Sequence, residues 1–160
     1  MEGDKTLAAM DTEIVINTGL NGFIMLDGIA AVTDSRITGT RYFSDAPVYL
    51  VLESLAQLGA FHVRRLIDFS RHVFLLKIVN CSLPAGHGLN GEYALSGKII
   101  NRSDAAFLSR LRAEREGEKA IEGDFLYASI DYDTNFRKET LRHHYRKLFS
   151  CLQNDLKTGC

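Results

Sequence analysis

Hydrophobic and polar positions divide the chain into six strand-like segments and one long apolar segment. Residues 23–32 and 36–43 are rich in β-forming residues, and the polar stretch between them is suited to a turn. Four more such segments follow the apolar one, separated by turn-like stretches, at residues 72–84, 90–100, 105–116 and 119–132. Because the connections between these four are short, we expect the strands to pair as an antiparallel meander.

The apolar segment, residues 46–63, predicts a long helix that must be covered on most sides. Ser44 is expected to cap it, with Asp45 near the positive end of its dipole and Pro47 in its first turn. A curved antiparallel sheet wrapped around one helix meets the requirement for cover. This is the hotdog architecture, an α+β fold. The alternative, a helix lying on a flat sheet, would leave one face of the helix in water.

A second, amphipathic helix is predicted for the C-terminal segment. Its apolar residues recur at helical spacing and are Leu141, Tyr145, Leu148, Phe149, Leu152 and Leu156. The opposite face is basic and carries Arg142, His143, Arg146 and Lys147. We therefore divide the chain into a hotdog domain, residues 1–134, and a C-terminal helix extension, residues 135–160. The extension is expected to pack on the sheet or across a dimer, and docking of an acidic carrier protein is the alternative.

Composition narrows the class of protein. The chain is 46% hydrophobic and 24% charged with a formal net charge of -1, which argues against a dedicated nucleic-acid binder. Its longest apolar run is far too short to span a membrane, and the acidic N-terminus lacks the apolar core of a signal peptide. The three cysteines (Cys81, Cys151 and Cys160) fit neither a metal-ligand spacing nor a disulfide framework. We expect a cytoplasmic protein that binds no metal and no cofactor.

Glu53 is the candidate reactive group, because it is a carboxylate within an otherwise apolar helix. At 100° per residue it shares a narrow sector with Gln57, Arg64 and Asp68, whereas His62 lies on the opposite side. This polar sector could simply face solvent or a neighbouring subunit. The leucines that flank Glu53 favour burial instead, which is expected to raise its pKa and suit proton transfer near neutral pH.

The stretch VLESLAQLGA resembles the helix motif of the β-hydroxyacyl-acyl-carrier-protein dehydratases of fatty acid synthesis. In that family a Glu-x-x-Ala-Gln pattern supplies the catalytic carboxylate, which corresponds to Glu53. The stretches GFIMLDGI and KIVNCSLPAGHGL are similar to the family's first strand and to its third strand with the following Pro-Gly loop. The resemblance covers residues 21–132 and implies a homodimer or higher homo-oligomer. It also implies an acyl thioester of acyl carrier protein or coenzyme A as the substrate.

The chain departs from this family ahead of the helix. The family's general base is the histidine of a His-Phe-Pro-Gly motif, and the corresponding stretch here is RYFSDAP. Tyr42 stands at the histidine position, with Phe43 and Pro47 retained. Tyr42 would be a poor base at neutral pH, because the unperturbed pKa of tyrosine is about 10. His87 would reach a pocket only if its Pro-Ala-Gly loop folds over that pocket.

The predicted site has Glu53 and Tyr42 as catalytic residues, and its substrate-binding residues are Gln57, Phe43, Pro47 and His87. Three functions remain open. The favoured one is a dehydratase-like protein that binds or dehydrates 3-hydroxyacyl thioesters, impaired by the missing histidine or completed by one from a partner chain. The second is a thioesterase with Glu53 as base or nucleophile. The third is a non-catalytic subunit that forms a heterodimer with an active, related dehydratase.

Two further predictions concern charged residues outside this set. Arg64 and Arg65 are candidate contacts for a carrier phosphopantetheine or for the nucleotide of coenzyme A, although a solvated helix end explains them equally well. Asp27, which matches an aspartate of the family's first strand, is expected to be a turn or structural residue.

Overall fold

The computed structural model describes residues 24–86 and 88–154, which form a six-stranded antiparallel sheet and two helices. The elements in chain order are β1 (Gly28–Val32), β2 (Arg36–Ala46), α1 (Val48–Leu66), β3 (His72–Ser82), β4 (Leu89–Arg102), β5 (Ala106–Arg115), β6 (Glu118–Ile130) and α2 (Lys138–Gln153). The long helix α1 packs against β2 to β6. The predicted hotdog fold, with two strands, one helix and four strands in that order, is confirmed.

The strands are arranged in the order β1-β2-β4-β5-β6-β3, so β3 lies at one edge beside β6. The prediction of a plain meander holds for β4, β5 and β6 but is wrong for β3. The reason is the length of α1, whose 19 residues span about 28 Å at 1.5 Å per residue. The helix therefore carries the chain from β2 across the inner face of the sheet to its far edge.

Alternation along the strands places one face of the sheet against α1 and the other in solvent. On β2, Ile37 and Phe43 point inwards and are buried, whereas Arg36 and Tyr42 are exposed. The core forms where this inner face meets α1, whose inward side chains are fully buried; they include Val51, Leu55 and Leu58.

The helix α1 begins later than its sequence predicts. The strand β2 continues to Ala46, which pairs with Leu89 of β4, and Pro47 is the N-cap residue. The predicted cap by Ser44 and the helix-dipole role of Asp45 are therefore wrong, because strand pairing extends past both residues. No side chain caps this helix and its first turn holds no acidic residue.

The helix α2 covers the C-terminal half of α1 and packs on β1. Phe149 is buried, and its ring lies 6.1 Å from that of Phe61 and 5.8 Å from that of Phe69. Leu152 is buried as well, whereas Leu156 lies outside the described residues. The division of the chain at residue 134 stays a prediction. None of the helices in the described part of the chain is long and apolar enough to cross a membrane.

Candidate functional site

Glu53 lies on the half of α1 that the rest of the chain covers least. It is half-buried, and Tyr49, one turn earlier on the helix, is 68% exposed. Leu52 beside it is also half-buried. The carboxylate thus borders both the buried core and a partly exposed surface that includes Tyr49 and Leu52.

Gln57 holds Glu53 in place. Its Nε2 donates a hydrogen bond of 2.9 Å to Oε1 of Glu53, from one turn further along the helix. Its Oε1 accepts a hydrogen bond of 2.8 Å from the backbone N–H of Met25, in the segment just before β1. Because the amide is engaged at both ends, its orientation is fixed, and it presents a donor to the carboxylate.

Asp27 organises the same segment against β2. Its carboxylate accepts a 2.6 Å hydrogen bond from the backbone N–H of Tyr42 and a 3.1 Å ion pair from Nη1 of Arg41. Asp27 donates its own backbone N–H to the carbonyl of Thr40 at 2.9 Å. These contacts agree with the structural role expected for Asp27. They also anchor the segment whose Met25 N–H positions Gln57.

Tyr127 of β6 packs against α1 from the inner face of the sheet and hydrogen-bonds to its backbone. Its side chain is fully buried, and its hydroxyl donates a 2.8 Å hydrogen bond to the backbone carbonyl of Ala56. The helix passes closely over this hydroxyl because Gly59 has no side chain; a Cβ there would collide with the Tyr127 ring and hydroxyl. Burial raises the pKa of Tyr127 well above its ordinary value, Arg64 opposes this rise, and the nearby charge of Glu53 adds to it.

The predicted site residues do not all converge. Tyr42 is 60% exposed and points to the face of β2 opposite Phe43, so only its backbone joins the network through Asp27. Phe43 is buried and packs edge-on against Tyr93, with ring centroids 5.5 Å apart. Pro47 serves as the N-cap of α1, and His87 lies outside the described residues. Within the described part of the chain, a side-chain hydrogen bond links Glu53 only to Gln57.

The described histidines lie away from Glu53. His62 is buried, its Nε2 is 2.8 Å from the carbonyl of Thr33, and burial lowers its pKa. The imidazole of His72 stacks on Phe136 with centroids 4.4 Å apart. In residues 24–86 and 88–154, no histidine hydrogen-bonds to Glu53.

Arg64 is enclosed by the fold, although the sequence suggested that it is available to a ligand. It is buried, donates a 3.0 Å hydrogen bond to the carbonyl of Val73, and lies 3.6 Å from the ring centroid of Tyr145 on α2. Arg65, by contrast, is exposed. The prediction for Arg64 is therefore wrong, because the C-terminal helix covers this end of the polar sector.

Two residues near the site were missed by the sequence analysis. Tyr127 occupies an inward position of β6, where alternation predicts burial but gives no partner. Arg41 occupies an inward position of β2, and its guanidinium lies 5.9 Å from the ring centroid of Phe43. The sequence did hold a signal for Arg41, namely a cationic residue at an inward strand position. Such a group requires a counterion, and in the fold Asp27 provides it.

Comparison with solved structures places this fold among proteins named as thioesterases. A variant of a thioesterase from Pseudomonas aeruginosa matches with a TM-score of 0.55 at 13% identity, over 64% of this chain and 80% of that one. A thioesterase from Haemophilus influenzae gives 0.55 at 12% identity, over 64% and 77%. A thioesterase variant from Staphylococcus aureus gives 0.57 at 12% identity, over 64% and 91%. At these identities the likeness shows a shared hotdog fold.

No protein-family model matches the sequence, and no curated protein matches it either. In the described residues, no group of His, Cys, Asp or Glu side chains is arranged to hold a metal ion. The candidate site therefore consists of a carboxylate, the amide that holds it, and the open surface beside them.

Proposed function

We propose that the protein hydrolyses acyl thioesters and that Glu53 is its catalytic carboxylate. The observation that carries the proposal is the position of Glu53: half-buried on the open face of the central helix, with one carboxylate oxygen bonded to Gln57. The hotdog proteins that share this fold and are named as thioesterases support the same reaction class. The substrate would be an acyl group carried by coenzyme A or by acyl carrier protein.

The Glu53 carboxylate could serve thioester hydrolysis by either of two routes. Acting as a base, the Glu53 carboxylate takes a proton from water as the water oxygen bonds to the thioester carbonyl carbon. The carbon–sulfur bond then breaks, and the thiolate leaves and collects a proton. Acting as a nucleophile, Glu53 would instead form a mixed anhydride and release the thiol before water attacks. Both routes yield a carboxylic acid and a free thiol.

The uncapped start of α1 could stabilise the oxyanion formed in either route. No side chain of the described residues caps this helix, and the Leu50 N–H donates to the carbonyl of Pro47 at 3.0 Å, so the N–H groups of Val48 and Tyr49 are the ones that would meet a developing negative charge. Glu53 follows in the second turn of the same helix. A thioester carbonyl at the helix start would therefore lie near the carboxylate.

Dehydration is the weaker proposal. It needs a base for the α-proton as well as an acid for the departing hydroxyl, and the exposed Tyr42 is a poor candidate for either role. Several structural neighbours are named as thioesterases, which favours hydrolysis. Hydrolysis needs only the one carboxylate.

We also propose that the protein works as a homodimer. Strand β3 is an edge strand, with Leu76 53% exposed on it and Leu83 55% exposed just beyond it. Unpaired strand edges with exposed apolar side chains are surfaces that proteins cover with a partner. A solution mass equal to one chain, measured by light scattering at micromolar concentration, would contradict this part of the proposal.

The decisive experiment measures free thiol released from coenzyme A thioesters of increasing acyl length. We expect the wild-type protein to release thiol and Glu53→Gln to lower kcat by about 10²–10⁴-fold, the typical cost of losing a positioned base. Glu92→Gln is a matched control, because Glu92 is an exposed carboxylate on β4. It should retain wild-type activity.

Two outcomes would reject the proposal. In the first, Glu53→Gln hydrolyses every substrate as fast as wild type. In the second, the wild-type protein interconverts crotonyl and 3-hydroxybutyryl thioesters without releasing thiol, which would restore the dehydratase assignment. Circular dichroism of each variant would show that the fold is retained.

A further inference from the structure

The outer face of the sheet, turned away from α1, carries a row of three cations on neighbouring strands. Arg36 of β2 is the direct cross-strand partner of Lys98 of β4, and Lys98 is in turn the partner of Arg110 of β5. Neighbouring strands are about 4.8 Å apart, so the three side chains stand side by side. Like charges placed directly opposite one another destabilise a sheet.

Only one end of this row is neutralised. Arg110 donates through Nε and Nη2 to the two carboxylate oxygens of Asp124, at 2.8 and 3.1 Å. At the other end, Arg36 and Lys98 are both exposed, and no carboxylate of the described residues forms an ion pair with either. The uncompensated positive charge is therefore localised on this pair.

The next row of the sheet is fixed and partly polar. Arg112 is clamped between Glu122, at 2.7 Å, and Glu114, at 2.8 Å. Ser96 of β4 is the cross-strand partner of Arg112, and Thr38 of β2 is the cross-strand partner of Ser96. Their hydroxyls add neutral hydrogen-bond donors next to the two free cations.

A shallow cleft of about 300 Å³ lies over the two rows on this outer face. Arg36, Lys98, Thr38 and Ser96 line it, and Gly97, which has no side chain, is at its floor. The paired side chains Arg110, Arg112 and Glu122 complete the lining, and the Glu122 carboxylate is engaged by Arg112 at 2.7 Å. Ile100, 38% exposed, provides an apolar side at one end. A concave surface with two unpaired cations and two hydroxyls has the chemistry of an oxyanion site.

We propose that this cleft binds a phosphate-bearing ligand through Arg36 and Lys98. Two adjacent cations are best matched by a group with more than one negative charge, such as a pyrophosphate, because such a group relieves their mutual repulsion. The arginine offers a planar fork of donors and the lysine a compact charge, and both are common phosphate ligands. The proposal does not depend on the thioesterase assignment, since the cleft lies on the opposite face of the sheet from α1.

The test is calorimetric titration of the full chain with inorganic pyrophosphate at low ionic strength. We expect Arg36→Gln and Lys98→Gln each to weaken binding about tenfold or more, because a hydrogen bond to a charged group is lost. Lys147→Gln, which removes an exposed charge from α2, should leave the affinity within about twofold of wild type. Parallel titrations with ADP and coenzyme A would identify whether a nucleotide binds more tightly than the free anion.

Thermal unfolding adds a second readout. Without ligand, Lys98→Gln should unfold at a temperature equal to or above that of wild type, because it removes a like-charge pair. Pyrophosphate should raise the wild-type Tm and leave that of Lys98→Gln nearly unchanged. The proposal is overturned if wild type does not bind pyrophosphate, if both cleft variants bind as wild type does, or if Lys147→Gln weakens binding equally.

Discussion

The two halves of α1 are built from similar apolar residues but are buried differently. In the N-terminal half, Tyr49 is exposed and Leu52, Glu53 and Gln57 are only partly covered. In the C-terminal half, every residue from Leu58 to Arg64 is buried. A polar side chain in each half forms a hydrogen bond, but the two differ in how far they are enclosed. Arg64 is covered by α2 and donates to the carbonyl of Val73. Glu53 accepts a hydrogen bond at one oxygen, and its other oxygen receives none from the described residues. The C-terminal half of the helix is thus enclosed by the fold, whereas the N-terminal half, although Val51 and Leu55 are buried in the core, keeps one side partly exposed.

Truncation of Phe149, which packs on the buried half of α1, tests whether that half serves stability alone. We expect Phe149→Ala to lower the free energy of unfolding by about 3–5 kcal/mol, the usual cost of truncating a buried phenylalanine. Thioester hydrolysis measured well below the unfolding temperature should stay near wild type. Chemical denaturation and the thiol-release assay are the two measurements.

Phe136→Ala is the matched control for this change. Phe136 is 40% exposed and stacks on His72, so its truncation should cost much less stability. Equal losses in the two variants, or a specific loss of activity in a folded Phe149→Ala protein, would mean that the two halves of α1 are not separable.

Gln57→Leu tests the open half. The change removes the hydrogen bond to Glu53 and leaves the N–H of Met25 without its acceptor, so we expect a stability loss of about 1–3 kcal/mol. The kcat for hydrolysis should fall about two- to tenfold, since Glu53 is still present but no longer held. Gln57→Glu separates the two contacts: it keeps an acceptor for Met25 but sets a second carboxylate beside Glu53.

In Gln57→Glu the pH profile is informative, because the added carboxylate stands beside Glu53 and two like charges repel each other. The acidic limb of the kcat profile should therefore move to higher pH in this variant. An unchanged profile, together with unchanged kcat in Gln57→Leu, would show that Gln57 does not act through Glu53.

The smallest expected effect comes from His62, on the buried half. Burial lowers its pKa in the folded protein, so the unfolded chain binds more protons at mildly acidic pH. The resulting stability is fully present above the unfolded value of about 6.5 and is lost as pH falls towards the folded pKa. We expect the free energy of unfolding to decrease as pH is lowered from 7 to 5.

His62→Gln should reduce that pH dependence, because glutamine can still donate towards the carbonyl of Thr33 but does not titrate. His72, whose pKa burial also lowers, accounts for the part that remains. A slope that is identical in wild type and His62→Gln would contradict a neutral, buried imidazole at position 62.

The sequence predicted the features that depend on residues close together along the chain. Segments rich in β-forming residues, bounded by turn-like stretches, predicted all six strands. The spacing of four between Glu53 and Gln57 placed their side chains together on α1, as their 2.9 Å hydrogen bond requires. The capping of α1 was missed because it was decided by a distant strand: pairing of Ala46 with Leu89 drew Ser44 and Asp45 into β2.

Long-range packing accounts for the other missed features. Arg64 looked available in the sequence because its cover, Tyr145, lies 81 positions further along the chain. The hydrogen bond from Tyr127 to Ala56 also joins residues far apart in sequence, 71 positions from each other. Periodicity reports which way a side chain points but not which partner it meets, so contacts of this kind require coordinates.

Because β3 pairs only with β6 within the described sheet, it must wait during synthesis for a strand that is made much later. Because its hydrogen-bonding neighbour β6 ends at Ile130, β3 leaves the ribosome well before the strand that completes its pairing. Until then the apolar residues that the fold buries, Val73 among them, are available to other nascent chains, and such non-local pairings form slowly. Translation speed and chaperone supply between these two strands should therefore influence the yield of native protein more than changes near the N-terminus of the sheet.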